Sequence, residues 1–499
     1  MKTTLIQLLC LLMAGYSFGQ KPDSLKIPEP RSFITTHQGT YHGVGVHYRA
    51  EAKEFFLSDD KNEPVASIWS VSYLRTNVPD NVPRPVVFVF NGGPGSASIW
   101  LHMGFLGPRR VLVDSDANRD DGAPPYPVVD NEQCLLDIAD LVFIDPVGTG
   151  FSKAIGKGKD ESFWGLVGDA RSVAQFIRLW TTDHQRWMSP KYIIGESFGT
   201  TRAAAVAATL EQGGQDLALN GLILISQALD YAGSTSVDFN ITSYLTYLPS
   251  MAATAWYHKK AGAGQPLESF LDQARSFTYR TYAPWLYKGN FLSGPERKML
   301  ADSLAYFTGL DTTYIRQSNF RILVPRFQKE LLRDQGITIG RLDARYWGKE
   351  WDQSASEPTL GDAADYRTSS AYTAALNDYL AKDLKVSMDR PYLTGNDAIY
   401  GKWDWKPVPK DAAWEPSYVN TAPGMGLAMR RNNALRVMVA SGYFDLITPF
   451  FDGEYTCSRN GIPTDRIEFS YYYSGHMIYN HEPDRQKLIE SIHQFIQAK

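Results

Sequence analysis

Residues 192–210 read Tyr-Ile-Ile-Gly-Glu-Ser-Phe-Gly-Thr-Thr-Arg-Ala-Ala-Ala-Val-Ala-Ala-Thr-Leu. Tyr192, Ile193 and Ile194 form a short apolar run suited to a buried strand, and the Ala-rich stretch after Gly199 has the composition of a helix. Between them Gly195 and Gly199 bracket Ser197 at the spacing GxSxG. Glycine on both sides lets the backbone turn tightly and the helix pack close to the strand, which pushes the serine hydroxyl out of the sheet's edge as a nucleophile elbow.

Upstream, Pro85 to Phe90 is a continuous apolar run that leads into Asn91-Gly92-Gly93-Pro94-Gly95-Ser96. Such a loop exposes rigid backbone N–H groups, the construction of an oxyanion hole. A phosphate loop would need the Walker Lys-Ser/Thr pair, which is absent. A third strand, Leu141 to Ile144, ends in Asp145-Pro146-Val147-Gly148-Thr149-Gly150-Phe151-Ser152. A helix is predicted over 162–180, with Val167, Ala170, Val173, Ala174, Ile177 and Trp180 on one face. Leu222 to Ile225 continues the alternation of strand and helix, as in a parallel α/β sheet.

From 231 to 430 the rhythm changes to helical patterns rich in Tyr and Trp, expected to be a cap inserted between sheet strands. Strands return at Leu435 to Ala440, followed by Asp445, and at Arg466 to Tyr473, followed by His476. A closing helix from Pro483 puts Leu488, Ile489, Ile492, Phe495 and Ile496 on one face. Ser197, Asp445 and His476 therefore come in the order nucleophile, acid, base, each after a strand, which is the order of an α/β-hydrolase triad. The expected layout is a core over 39–230 and 431–499, with a β-rich hairpin or meander from Gly39 to about Thr76.

The 499 residues carry a formal charge of -4, with 43% hydrophobic and 21% charged content. This allows a large buried core and gives no basic field for nucleic acid. Lys2, the apolar run Leu5 to Met13 and Ser17-Phe18-Gly19 predict a signal peptide over 1–19, hence a secreted or periplasmic protein, and residues 20–38 a flexible lead-in. The leader is too short to span a bilayer, and nothing else is read as transmembrane. Cys134 and Cys457 could form one disulfide but no stapled framework. His37, His42 and His47 lack metal-ligand spacing and are read as packed or solvated.

Taken together, Asn91 to Gly95, Asp145 to Ser152, Gly195 to Gly199, the Asp445 segment and Gly475-His476-Met477 resemble the serine carboxypeptidase family, in its order, from about Gly39 to the C-terminus. With the segment Tyr247 to Tyr257, the chain looks like that family's bacterial branch. The resemblance implies hydrolysis of the last residue of peptides bearing a free C-terminal carboxylate, without metal or organic cofactor. It implies an oxyanion hole from the N–H groups of Gly93 and Phe198. It further implies that Asn91 and Glu196 bind the substrate carboxylate and that Met477 lines the pocket for the leaving residue. A Glu facing a substrate carboxylate requires one of the two to be protonated, so activity favoured by acid is expected. Three departures stand out: Phe105 occupies the place of a second Glu, Ser96 and Thr448 replace cysteines, and Pro146 directly follows Asp145 in a shortened loop. The same fold could instead host an esterase or acyltransferase, or a binding protein without turnover.

Overall fold

The computed structural model describes residues 27–79, 83–212, 214, 216–406 and 417–498. Nine strands run through one sheet: β1 (Ser32–Tyr41), β2 (Val44–Ser58), β3 (Pro64–Arg75), β4 (Val86–Phe90), β5 (Asp140–Asp145), β6 (Lys191–Glu196), β7 (Gly221–Ile225), β8 (Arg436–Gly442) and β9 (Ile467–Tyr472). Their spatial order is β1-β2-β3-β5-β4-β6-β7-β8-β9, and a short tenth strand, Lys153–Ala154, pairs with β3. From β5 to β9 every pairing is parallel, while β1, β2 and β3 form an antiparallel meander joined to β5. This is an α/β-hydrolase architecture.

The apolar runs are continuous because the sheet is covered on both faces, yet each strand still alternates between them. Val87, Val89, Phe143, Ile194, Ile223 and Met438 enter one core, with helices α4 (Ala363–Lys382) and α6 (Glu482–Gln497) over them. Val86, Phe88, Ile144, Ile193, Leu224 and Val439 enter the other, under α1 (Leu166–Asp183), α2 (Phe198–Leu210) and α5 (Ala422–Arg431). A third core fills the segment between β7 and β8, where α3 (Ile241–Tyr257) packs against shorter helices and meets Phe444, Leu446 and Phe450.

Three expectations need correction, and one open question is answered. The chain joins the sheet at Ser32 rather than Gly39, so the expected lead-in over 20–38 overlaps an edge strand. Its polar Thr, His and Gln residues are held by full antiparallel pairing with β2 rather than by apolar alternation. The helix expected from 162 starts at Leu166, since 160–162 is a separate 3-10 turn; Val167 then sits on the first turn and is 60% exposed. The segment 231–430 is not one cap: α4 and α5 bury Tyr372, Leu376, Met425 and Met429 in the two sheet cores. Cys134 and Cys457 are both free, in the cores on opposite faces of the sheet. The expected leader over 1–19 lies outside the described residues.

Candidate active site

Ser197 sits between β6 and α2 with φ 60° and ψ -130°, a left-handed conformation that a non-glycine residue holds only under constraint. The constraint is the close stacking of loop, strand and helix. A Cβ on Gly92 would lie 2.5 Å from the Phe198 nitrogen, and one on Gly195 would lie 2.3 Å from the Gly199 oxygen. Phe198 is the first residue of its helix, so its N–H has no preceding turn to bond. Behind the elbow, the buried Arg202 guanidinium pairs with Asp169 at 2.7 Å and donates to the Asn91 carbonyl at 2.7 Å. Breaking such a buried pair costs about 3–5 kcal/mol, so Asp169 of α1 fixes the guanidinium that holds the Asn91 carbonyl.

On the loops after β8 and β9, Asp445 and His476 meet. His476 Nδ1 lies 2.7 Å from Asp445 Oδ2, and both side chains are buried. The carboxylate also accepts from the N–H groups of Ile447 at 2.7 Å and Thr448 at 2.9 Å, and from the Thr448 hydroxyl at 2.7 Å. Burial disfavours the charged imidazolium, but the Asp445 charge and hydrogen bond, with help from Glu196, outweigh it and raise the His476 pKa. With Nδ1 engaged by Asp445, Nε2 is the nitrogen left for chemistry. Ser197 and His476 line the same cavity. No hydrogen bond joins the Ser197 hydroxyl to the ring among the described residues; such contacts commonly tighten only when substrate binds.

Glu196, the last residue of β6, is the other buried acid of the site. Its Oε2 accepts from Asn91 Nδ2 at 3.1 Å and from the Tyr479 hydroxyl at 2.7 Å. Burial pushes its pKa up to about 7, against the lowering effects of His476 and of these two hydrogen bonds. A carboxyl poised there carries a proton over the mildly acidic range and can donate it to an anion.

The cavity holds about 360 Å³ and is lined by Asn91, Gly93, Glu196, Ser197, His476 and Met477 among others. Of the residues picked from sequence, Asp445 stands behind His476 and Phe198 lies under Trp403 and Trp405, with ring centroids 5.1 and 6.0 Å away. Sequence reasoning missed Tyr479, which lies outside every motif and reaches the site through Glu196, and Trp100, Arg341, Asp365, Tyr400 and Trp405, which line the cavity. A second cavity of about 460 Å³ adjoins it and shares Tyr231, Ser234, Arg341, Tyr400 and Trp405.

The sequence profile described as serine carboxypeptidase matches residues 71–479. The chain belongs to the serine carboxypeptidase family. Serine carboxypeptidase-like 16 of Arabidopsis thaliana is 27% identical over 154 residues, 30% of this chain and 34% of that protein. The pheromone-processing carboxypeptidase KEX1 of Saccharomyces cerevisiae is 28% identical over 141 residues, 28% of this chain and 16% of that protein. These curated matches thus span about a third or less of their relatives. The crystal structure of a prohormone-processing carboxypeptidase of Saccharomyces cerevisiae superposes with a TM-score of 0.53 at 15% identity, covering 90% of this chain and 91% of that one, which supports the fold.

Two of the three departures have a structural outcome. Phe105 is buried and stacks on Tyr479, ring centroids 5.4 Å apart and planes 10° from parallel, so an aromatic pair fills the place of a second carboxyl. Tyr479 then supplies the donor to Glu196. Thr448 places a hydroxyl on Asp445. Ser96 lines the cavity, and Cys134 and Cys457 lie elsewhere, buried in the cores; burial raises the Cys457 pKa to about 12.

Proposed function

We propose that the protein removes the C-terminal residue of peptides through an acyl-enzyme on Ser197. The observation that carries this reading is a buried, protonatable carboxyl, Glu196, next to a strained serine and a paired His476–Asp445. The Ser197 oxygen bonds to the scissile carbonyl carbon while its proton passes to His476 Nε2. The N–H groups of Gly93 and Phe198 receive the negative charge that develops on the carbonyl oxygen. The C–N bond then breaks as His476 gives that proton to the leaving amine. Water, deprotonated by His476, then bonds to the acyl carbon, the Ser197 oxygen–carbon bond breaks to release the shortened peptide, and His476 returns the proton to Ser197.

Protonated Glu196, beside the Asn91 amide, donates to the substrate's terminal carboxylate, and Met477 borders the leaving residue. Such a clamp selects a free C-terminus, so an N-blocked dipeptide is hydrolysed and its C-terminal amide is not. Equal hydrolysis of both rejects the clamp. The leader-like residues 1–19 support export, and no described helix is long and apolar enough to cross a membrane. N-terminal sequencing of the mature protein is expected to begin at Gln20; retention of Met1 rejects export by this leader.

A further inference from the structure

On the side chains joining the first hairpin to the last helix, three potential metal ligands converge. His42 and Gly43 turn β1 into β2, with φ 45° and 78°. Asp137 ends the 3-10 turn Leu135–Asp137, and His493 projects from α6. One ligand atom from each lies within 4.8 Å of the others. His493 Nε2 is 2.7 Å from Asp137 Oδ2, the two imidazole centroids are 4.5 Å apart, and His42 Nε2 is 3.2 Å from the Gln133 carbonyl.

The second observation is the unmet need of the carboxylate. The Asp137 side chain is 6% exposed, and its Oδ1 is buried without a hydrogen-bond partner. A buried acceptor left unpaired is costly, and a cation bound by the carboxylate removes that cost. The nearby guanidiniums do not meet it. Arg75 and Arg84 donate to the Asp137 backbone carbonyl, at 2.9 and 3.1 Å. Arg84 and Arg186 are both paired with Asp140, at 2.8 and 2.5 Å, and Arg75 reaches Asn77 at 3.0 Å.

We propose that His42, Asp137 and His493 form a binding site for a divalent transition-metal ion of the zinc type. Two imidazoles and one carboxylate favour zinc, nickel or cobalt over calcium and magnesium, which prefer all-oxygen shells. Ligand-to-metal distances of about 2.0–2.2 Å require the close His493–Asp137 contact to open only slightly as the ion replaces the shared proton. None of the three residues borders the cavity at Ser197, so the ion fastens the hairpin to α6 and takes no part in hydrolysis. The proposal stands independently of the peptidase reading.

The test is calorimetric titration of the untagged, chelator-treated protein with zinc chloride, with magnesium chloride as the control. One saturable zinc site per chain is expected, and no magnesium site. His42→Asn, which suits the left-handed turn position, and His493→Gln should each abolish that site. A hundredfold zinc excess over Kd should raise Tm of the wild type by about 3 °C and leave both variants unmoved. A far-UV circular dichroism spectrum and a metal-free Tm that match the wild type would confirm that both variants are folded. No saturable zinc binding by the wild type, or zinc binding that persists in both variants, overturns the proposal.

Discussion

Two buried carboxyl groups act on the imidazole's charge in the proposed mechanism, and their surroundings differ. Asp445 is held by two backbone N–H groups, the Thr448 hydroxyl and the His476 ring. Glu196 has two neutral side-chain donors, from Asn91 and Tyr479, and burial keeps its pKa near 7. Similar burial therefore serves opposite ends. Many donors fix a carboxylate that orients and charges a base, and few leave a carboxyl able to hold a proton for a substrate anion.

The largest expected effect lies on the Asp445 side. Ser197→Ala should lower kcat by about a million-fold if serine, imidazole and carboxylate act as one unit. Asp445→Asn should cost about ten-thousand-fold, because the amide favours the wrong imidazole tautomer. Both are read with an N-blocked dipeptide, and a loss below a hundredfold in either removes the unit.

The Glu196 side should show itself in KM and pH. Glu196 binds a substrate carboxylate while protonated, so KM should rise about tenfold per pH unit above about 7. Glu196→Gln, which cannot titrate, should flatten that rise. As pH falls, protonation of His476, whose pKa is raised, should lower kcat/KM, giving a bell whose limbs belong to a coupled pair. A KM independent of pH in the wild type contradicts the proposed role of Glu196.

The same shift bears on stability. Because burial raises the folded pKa of Glu196 above its unfolded value, its contribution is fully present below about pH 4.5. It is lost as pH rises through about 7. In Glu196→Gln the melting temperature should fall less over this window than in the wild type.

Smaller effects separate the two carboxyls further. Tyr479→Phe removes a donor that lowers the Glu196 pKa, so the rise in KM should move to higher pH, with kcat changed by less than about tenfold. Thr448→Val removes one of several donors to Asp445 and should lower kcat/KM by about fivefold, with the KM profile unmoved. If Thr448→Val moved the KM profile instead, the two acids would not be separable in function.

Much of this was legible in the chain. The Ser197 elbow, the glycine loop at 91–95 and the strand ends before Asp445 and His476 are local signals, set by apolar runs and by turns that exclude side chains. The edge strand at Ser32 was not, because its polar residues are organised by a partner strand. The composition at 231–430 gave helices without revealing that α4 and α5 turn back into the sheet cores. Tyr479 carries no motif, and its role rests on Phe105 lying beside it.

The alternation of strand and helix and the order of serine, acid and base are written in the chain, since periodicity and turn chemistry act over a few residues. Tertiary packing set what surrounds each carboxyl, which aromatics roof the elbow, that Cys134 and Cys457 lie on opposite faces of the sheet, and that His42 meets Asp137 and His493. Those outcomes depend on how distant segments pack against one sheet, and short-range patterns hold no record of that packing.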